Sequence, residues 1–387
     1  MKKKIAILGS TGSIGKSTID ILRKDISSFE IVLLTANKNY KKLMKQAELL
    51  NVKNLIIHDY KKYLEFLKNN KSKKIRIFNT TKEFRKFYHK KIDYCMSAIT
   101  GIAGLESTLH SISFSKKIAI ANKESIICAW NLIEKKLKRY KTKFIPVDSE
   151  HFSIYELING FDTSNVEEVI LTASGGPFVN LPLSKQINIQ PKDAIKHPKW
   201  KMGKKISVDS ATLMNKVFEI IEAKKIFNLK YSQIKILIHP NSYVHALVKF
   251  KNGITKILLH DTDMKIPIFN SIYEKNQTTL KTKKIDVYKL NNLSLSNVDK
   301  KKFPAVNLIK YFPASDTLFE TVMIASNDEL VSLFLDKKIT FPDIMKYQRI
   351  MLKNKQIFKL KNKAPSNVKE IINLSKLVRL KIRSLCI

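Results

Sequence analysis

Glycine is scarce in this chain, which has ten glycines among 387 residues. An average chain of this length would hold about 27. Because glycine tolerates a positive φ and close approach of the backbone, we expect the few that remain to mark tight turns and ligand contacts. Eight of the ten fall in four short stretches, at 9–15, 101–104, 175–176 and 203.

Cysteine and long apolar runs are also scarce. The three cysteines, at 95, 128 and 386, are too few for a disulfide framework and lack the spacing of a metal site. No apolar run reaches the ~18 residues of a membrane-spanning helix. The start, MKKKIAILG, has the pattern of a strand and not that of a secretory or transit peptide. We therefore expect a cytoplasmic protein with no membrane partner.

Acidic residues are outnumbered, with 33 Asp and Glu against 71 Lys and Arg and a formal net charge of +38. Such a charge attracts polyanions at low salt. Only seven of the basic residues are arginine, however, and the lysines are scattered over every segment. Nucleic-acid sites cluster arginine for bidentate contacts. We expect no specific nucleic-acid partner; the alternative, a nucleic-acid-binding protein, would bind tightly at physiological salt.

Apolar runs, such as the predicted strand Ile92–Ala98, alternate with helical periods, such as the predicted helix Glu124–Tyr140, over residues 1–147. Most of the runs are unbroken, as in a parallel sheet covered on both faces. This alternation predicts the α/β fold class, beginning with a Rossmann-like, doubly wound parallel sheet.

The pattern changes after residue 147. The pattern of residues 148–274 predicts a central α+β domain, which includes one long helix at Val208–Phe227. Residues 275–302 form a polar connector, and the helical period of 303–387 predicts a C-terminal α-helical domain. We thus expect three folded domains and one connector.

A glycine-rich turn follows the first predicted strand, with the sequence Gly9-Ser-Thr-Gly12-Ser-Ile-Gly15. A strand, a glycine turn and a helix N-terminus together bind a pyrophosphate on backbone N–H groups. The spacing GxxGxxG is a variant of the common GxGxxG. The sequence favours a dinucleotide site here over an ordinary tight turn.

The second predicted strand ends in Thr35-Ala-Asn-Lys38-Asn39, without the acidic residue that binds the ribose hydroxyl of NAD. A lysine at this point suits the 2′-phosphate of NADP, so we expect NADPH in preference to NADH. The alternative is that Lys38 is an ordinary surface lysine.

Two carboxylates stand at the end of the last strand of the first domain, in Pro146-Val-Asp148-Ser149-Glu150. In an extended segment, residues two apart point to the same side. Ligands bind at the carboxyl ends of such strands, and paired carboxylates suit Mg²⁺ or Mn²⁺. The alternative is that Asp148 or Ser149 caps the following helix.

Polar residues collect on one side of the predicted Val208–Phe227 helix. At 100° per residue, this side gathers Thr212, Asn215, Lys216, Glu219 and Glu222. Ser210 is expected near the helix N-terminus, where backbone donors favour an anion. The mixture suits a phosphorylated polyol and a metal; a solvated outer face is the alternative.

Two loops precede this helix in the sequence. Ser174-Gly175-Gly176 follows a strand and offers a hydroxyl and backbone amides to a phosphate. The loop from His197 to Gly203 places Trp200 in a polar setting, which predicts a lid that closes over a ligand.

Together these stretches resemble the 1-deoxy-D-xylulose 5-phosphate reductoisomerases of isoprenoid precursor biosynthesis. The resemblance spans most of the first 260 residues, and the run at 197–216 is the most specific. It rests on GSTGSIG (9–15), ANKES (121–125), VDSEH (147–151), LTASGGPF (171–178), HPKWKMGKKISVDSATLMNK (197–216) and IHPNSYVH (238–245).

The resemblance implies a role for each matching residue. It implies that Asp148, Glu150 and Glu219 bind the metal, which would be Mg²⁺ or Mn²⁺, with Co²⁺ a further option. It implies that NADPH is bound by Thr11, Gly12, Ser13, Ile14, Lys38, Asn39, Asn122, Glu124 and Gly203. It implies that substrate is held by Lys123, Ser149, Glu150, Ser174, His197, Trp200, Ser210, Asn215, Lys216 and Glu219, of which Lys123, Glu150 and His197 are catalytic.

The implied reaction is an isomerisation followed by a reduction. A phosphorylated sugar, 1-deoxy-D-xylulose 5-phosphate, would rearrange by a retro-aldol/aldol route or a ketol shift, and NADPH would reduce the product to 2-C-methyl-D-erythritol 4-phosphate. The resemblance also implies a homodimer, formed through the central domain that binds metal and substrate.

The chain departs from the family pattern where glycine is common, at Val217 and His260, and around Ser315-Asp316. None of these positions is an implied ligand, so the departures bear on dimer stability and catalytic rate. The alternative function is another NADPH-dependent oxidoreductase, of the semialdehyde or homoserine dehydrogenase type.

Overall fold

The computed structural model describes residues 1–69, 74–200, 202–273 and 278–386. Lys201 of the predicted lid loop and residues 275–277 of the predicted connector lie outside the described residues. The chain forms two compact units. The first comprises Met1–Ile126, Asn131–Asp148 and Met264–Leu280, and the second comprises Ile127–Trp130, Ser149–Asp263 and Lys281–Ile387.

Twelve strands form two sheets in the described part of the chain. They are β1 (Lys3–Leu8), β2 (Phe29–Ala36), β3 (Asn54–Ile57), β4 (Arg76–Phe78), β5 (Ile92–Ser97), β6 (Ser115–Ile120), β7 (Lys143–Pro146), β8 (Val166–Ala173), β9 (Ile234–Ile238), β10 (Val244–Phe250), β11 (Thr255–Leu259) and β12 (Ser296–Asn297).

Sixteen α-helices accompany them among the described residues. They are α1 (Ser13–Leu22), α2 (Tyr40–Leu50), α3 (Tyr60–Asn69), α4 (Thr81–Phe87), α5 (Leu105–Ile112), α6 (Lys123–Tyr140), α7 (Ser149–Leu157), α8 (Pro191–Ala194), α9 (Lys204–Ala211), α10 (Met214–Ile226), α11 (Lys265–Tyr273), α12 (Val287–Asn291), α13 (Leu318–Leu335), α14 (Phe341–Lys353), α15 (Lys355–Phe358) and α16 (Val368–Cys386).

The first unit confirms the predicted doubly wound sheet. Its seven strands have the order β4-β3-β2-β1-β5-β6-β7, and every neighbouring pair is parallel. The reversal of strand order beside β1 is where such sheets bind ligands. Unbroken apolar runs such as Ile5–Leu8 are completely buried, as a sheet covered on both faces requires.

The second unit is built on a mixed sheet with the order β11-β10-β8-β9-β12. Helices α7 and α10 supply Ile154, Leu157 and Ile220 to a core that also contains Leu171 and Phe250. Strand β12 and helix α12 lie within the predicted connector 275–302. The polar composition hid an edge strand of only two residues.

The prediction of one long helix at Val208–Phe227 was wrong. The chain forms α9 and α10 instead, separated at Leu213, whose φ is +59°. The Thr212 hydroxyl donates to the carbonyl oxygens of Val208 and Asp209, each at 3.2 Å, and accepts from the Met214 N–H at 3.3 Å. The Met214 N–H thus bonds to a side chain and not to the helical carbonyl oxygen of Ser210, and Leu213 is buried in an apolar cluster that holds the strained backbone.

Candidate active site

The glycine turn after β1 has the close packing that a dinucleotide loop needs. Gly9 has a φ of +78°, and a Cβ there would lie 2.7 Å from the carbonyl oxygen of Ala98. Gly12 precedes α1 and has no side chain to cap it. The loop therefore brings bare backbone to the start of a helix, where N–H groups and the helix dipole favour a pyrophosphate.

Two of the predicted cofactor residues lie at the end of β2, the strand next to β1. The Asn39 side chain accepts from the Lys42 N–H at 3.1 Å and so caps α2. The Lys38 ammonium is exposed and lies 4.0 Å from the Asp59 carboxylate. The exposed ammonium stands at the position expected for a 2′-phosphate contact, with one acid near it.

The segment between β6 and α6 carries three more predicted residues. The Asn122 amide donates to the carbonyl oxygens of Ile99 and Gly101, at 2.5 and 2.8 Å, and thereby shapes the neighbouring loop. Lys123 is buried, and its Nζ lies 2.7 Å from Oδ2 of Asp148. Glu124 is also buried. Within the first unit, the structure thus brings predicted Lys123 and Asp148 into direct contact.

A buried ionic cluster in the second unit joins residues that the sequence singled out. Lys216 Nζ contacts Oε1 of Glu150 at 2.8 Å and also contacts Oε2 of Glu219. The Ser149 hydroxyl donates to Oε2 of Glu150 at 2.6 Å, and the Asn215 amide donates to Glu219. Helix α10 and the first turn of α7 supply all five side chains.

The polar face of α10 points inward, so the alternative of a solvated outer face was wrong. Glu219 is 1% exposed and Glu222 is 2% exposed. Buried His151 donates from Nε2 to the carbonyl oxygen of Glu219 at 2.9 Å, and its Nδ1 lies 3.5 Å from Glu222. A charged group is rarely buried unless it is paired, and Glu219 is paired with Lys216.

The charges of this cluster are mutually stabilised. Burial opposes the ionisation of Glu150, but the adjacent Lys216 ammonium and the Ser149 hydroxyl hold the pKa of Glu150 well below its usual range. Burial also opposes the charge of Lys216, and the carboxylates of Glu150 and Glu219 raise its pKa above the usual value. At neutral pH Glu150 is therefore a carboxylate and Lys216 is an ammonium, which lies between two hard oxygen donors.

A second group of predicted residues surrounds His197. Nδ1 of His197 accepts from the N–H groups of Lys199 and Trp200, at 3.1 and 2.9 Å, so the proton of the neutral ring is on Nε2. Nε2 therefore donates to the Ser174 hydroxyl at 3.0 Å. Burial lowers the pKa of His197 to about 4, and the ring is neutral at physiological pH.

The Ser174 hydroxyl is arranged to donate. Its oxygen accepts from His197 and from the Gly176 N–H, at 3.0 and 3.1 Å. Since both bonds end on the oxygen, the hydroxyl proton is directed to a third group. This is the arrangement that presents a donor to a phosphate oxygen.

Ser210 lies at the C-terminal end of α9, which corrects the expectation that it begins a helix. The loop that carries Ser174 packs on it: a Cβ at Gly176, whose φ is +66°, would lie 2.9 Å from the Ser210 carbonyl oxygen. Asn215 and Lys216 follow in the first turn of α10. The helix break thus gathers Ser210 and the start of α10 beside the Ser174 loop.

Two histidines next to this group were missed from the predicted site. The Trp200 ring meets His245 edge-on at 6.0 Å, and His245 stacks on His260 at 3.7 Å. Burial lowers the pKa of His245 to about 3, so it is neutral. The motif IHPNSYVH contained His245, but only the pairing of β10 with β11 brings His260 beside it.

Comparison with known families gives a consistent result over the chain. The family model described as 1-deoxy-D-xylulose 5-phosphate reductoisomerase matches residues 5–130. Two models described as C-terminal domains of the same enzyme match residues 144–227 and 259–381.

Curated relatives match the chain over nearly its full length. The 1-deoxy-D-xylulose 5-phosphate reductoisomerase of Pelagibacter ubique is 54% identical over 387 residues, covering 100% of both chains. The protein of the same name from Clostridium novyi is 35% identical over 380 residues, covering 97% of each.

Solved structures share the fold. The Zymomonas mobilis 1-deoxy-D-xylulose 5-phosphate reductoisomerase in complex with NADPH has a TM-score of 0.88 and 32% identity, covering 100% of this chain and 99% of that one. A DOX-P reductoisomerase in complex with NADPH, fosmidomycin and magnesium has a TM-score of 0.89 and 31% identity, covering 99% and 98%. Among the described residues, no helix is both long and apolar enough to cross a bilayer.

Proposed function

The chain belongs to the 1-deoxy-D-xylulose 5-phosphate reductoisomerase family, and we propose that it converts 1-deoxy-D-xylulose 5-phosphate to 2-C-methyl-D-erythritol 4-phosphate. The reaction uses NADPH and a divalent metal and serves isoprenoid precursor biosynthesis in the cytoplasm. The buried Glu150–Lys216–Glu219 cluster carries the proposal, because a generic dehydrogenase does not need two acidic side chains buried around one lysine. The full-length family match does not favour the semialdehyde or homoserine dehydrogenase alternative.

Asp148, Glu150 and Glu219 are the metal ligands in this proposal. The donor set fits, because Glu150 and Glu219 offer hard carboxyl oxygens that are already arranged around a positive charge, the Lys216 ammonium. Asp148 stands two residues before Glu150 in the chain. When bound, Mg²⁺, Mn²⁺ or Co²⁺ would polarise the substrate carbonyl.

The substrate phosphate is held by donors from three segments, with Lys216 supplying the charge. Ser174 donates its hydroxyl proton because His197 and Gly176 occupy its oxygen. Neutral His197 keeps Ser174 in this orientation and touches the substrate, and Trp200 covers it as part of a lid that excludes water. The remaining substrate residues are Ser149, Ser210, Asn215 and, from the first unit, Lys123.

NADPH is bound chiefly by the first unit, where the cradle at Gly9 accepts no side chain. Its contacts are with Thr11, Gly12, Ser13, Ile14, Lys38, Asn39, Asn122 and Glu124, together with Gly203 of the second unit. When bound, NADPH would supply the hydride. We also propose a homodimer formed through residues 148–274, with 275–302 as a connector and 303–387 as a helical domain.

The test is the oxidation of NADPH, followed by absorbance, with 1-deoxy-D-xylulose 5-phosphate and Mn²⁺ or Mg²⁺. Controls omit the metal or replace NADPH by NADH. Metal-dependent oxidation with a preference for NADPH is the expected result. Folded protein that binds NADPH but does not oxidise it with this substrate would overturn the proposal and favour another oxidoreductase.

A further inference from the structure

An ionic network joins α9 to α13. The proposed chemistry gives no role to its residues. Lys205 Nζ lies 3.0 Å from Asp209 on its own helix and 2.9 Å from Asp328 on α13. The Asn327 amide donates to the other oxygen of Asp209 at 2.7 Å. Asp209 is 1% exposed and Asn327 is completely buried. We call Lys205, Asp209, Asn327 and Asp328 the α9 latch.

Further ion pairs join α13 to the C-terminal helix, α16. Arg379 on α16 contacts Asp328 at 2.6 Å, and Arg383 contacts Glu329 at 2.5 Å. The network thus contains three carboxylates, from Asp209, Asp328 and Glu329, and three cations, from Lys205, Arg379 and Arg383. The three carboxylates are 1–10% exposed, whereas the three cations are 34–61% exposed. Since a buried carboxylate is costly unless it is paired, the cations hold the carboxylates of α9 and α13 in place.

The latch holds the helix that carries Ser210, a residue that we assign to phosphate binding. Asp209 immediately precedes Ser210, whose carbonyl oxygen packs against Gly176 of the Ser174 loop. Lys205 also lies over the ring of Phe218 on α10, at 5.4 Å. Helix α9 is short, and the helical conformation is interrupted at Leu213 shortly after it. A helix of eight residues that ends in a strained turn needs tertiary contacts to keep its position.

We propose that Lys205, Asp209, Asn327 and Asp328 are positioning residues, which hold Ser210 in place for the substrate phosphate. None of them needs to touch the substrate. This inference rests on the proposed function, because it requires that Ser210 binds the phosphate. It assigns helix α13 a part in substrate affinity, not only in folding.

The test separates positioning from general stability by a matched control. Lys205→Met removes the cation that joins α9 to α13, and Arg383→Met removes a cation of the same network whose partner Glu329 lies on α13. We expect Lys205→Met to raise KM for 1-deoxy-D-xylulose 5-phosphate about tenfold, with KM for NADPH within about twofold of wild type. Lys205→Arg should restore most of the affinity. Arg383→Met should lower the melting temperature and leave both KM values unchanged.

Asp328→Asn gives a second measurement at constant side-chain shape, which serves if Lys205→Met does not fold. The inference would be overturned if the folded variant, Lys205→Met or Asp328→Asn, raised KM for 1-deoxy-D-xylulose 5-phosphate no more than Arg383→Met does. Ser210→Ala in the same assay separates the assignment of Ser210 to phosphate binding from the positioning role of the latch. If Ser210→Ala raises KM and the latch variants do not, only the latch is wrong; if Ser210→Ala has no effect, the phosphate assignment fails and the latch inference with it.

Discussion

The glycine loop of the first unit and the ionic cluster of the second are built by different means. The loop uses backbone: Gly9 admits no Cβ, and the N–H groups at the start of α1 are presented without a capping side chain. The cluster uses side chains: Glu150, Lys216 and Glu219 come from two helices and are buried together. A site made of backbone can be predicted from a short stretch of sequence, whereas a cluster of side chains forms only when separate elements pack together.

The largest effect should come from breaking the cluster. Glu150→Gln removes a charged ligand and one partner of Lys216 at nearly constant volume, and we expect kcat to fall by at least about 10³-fold because the metal loses its charged donor. NADPH affinity, measured by fluorescence titration, should stay near normal since the loop is untouched.

Glu167→Gln is the matched control for that variant. Glu167 contacts Lys249 at 2.6 Å, but both side chains are about half exposed, so its loss should leave kcat unchanged. Turnover of Glu150→Gln close to wild type would show that Glu150 is not a ligand.

The backbone loop should respond to a single methyl group. Gly9→Ala adds a Cβ 2.7 Å from the Ala98 carbonyl at a positive φ, and we expect NADPH binding to weaken strongly and the free energy of unfolding to fall by about 1–3 kcal/mol. Gly160→Ala shares the positive φ but meets no atom within 4 Å, so it isolates the cost of φ alone. Equal NADPH affinities in the two variants would contradict a role for close approach at Gly9.

A smaller effect tests the one side chain that we expect to select the cofactor. Lys38→Ala should raise KM for NADPH by about tenfold and leave KM for NADH unchanged, because only NADPH carries the 2′-phosphate. Lys41→Ala, an exposed lysine of α2, is the control. A parallel rise in both KM values would mean that Lys38 supports the loop without reading the phosphate.

The smallest effect concerns the pH dependence of stability. His197 has a folded-state pKa of about 4, below the 6.5 of an unperturbed histidine, because burial disfavours its charged form. Between these values the unfolded chain binds the extra proton, so this contribution to stability is present above pH 6.5 and is lost as the pH falls towards 4. The free energy of unfolding of His197→Gln should therefore vary less over this window than that of wild type, in denaturant titrations at each pH. Identical slopes would place His197 in a more solvated setting.

Much of the first unit was predictable from local pattern. The predicted strand Ile92–Ala98 and helix Glu124–Tyr140 differ from β5 and α6 by one residue at one end. Apolar runs in a parallel sheet are long and unbroken, and each is followed by a helical period, so neighbouring segments support the same interpretation. The division of the chain at 147, 274 and 302 stays a prediction.

The second unit was less predictable, for reasons that can be named. The interval Val208–Phe227 has a continuous helical period, yet side-chain bonds from Thr212 and the burial of Leu213 break it. The edge strand β12 is too short and too polar to show a strand period. Burial of the polar face of α10 depends on His151, which packs there from α7.

By itself, the sequence determined the α/β class, the glycine turn after the first strand and the kinds of residue that we propose to bind metal and phosphate. These are properties of local spacing, because φ preferences, strand and helix periods and donor chemistry act within a few residues. Only the tertiary structure decided that Glu150 and Glu219 share Lys216, that His245 stacks on His260, and that Asn327 and Asp328 hold α9. Those contacts join segments far apart in the chain, and burial, which makes charges pair, is settled only when the elements pack.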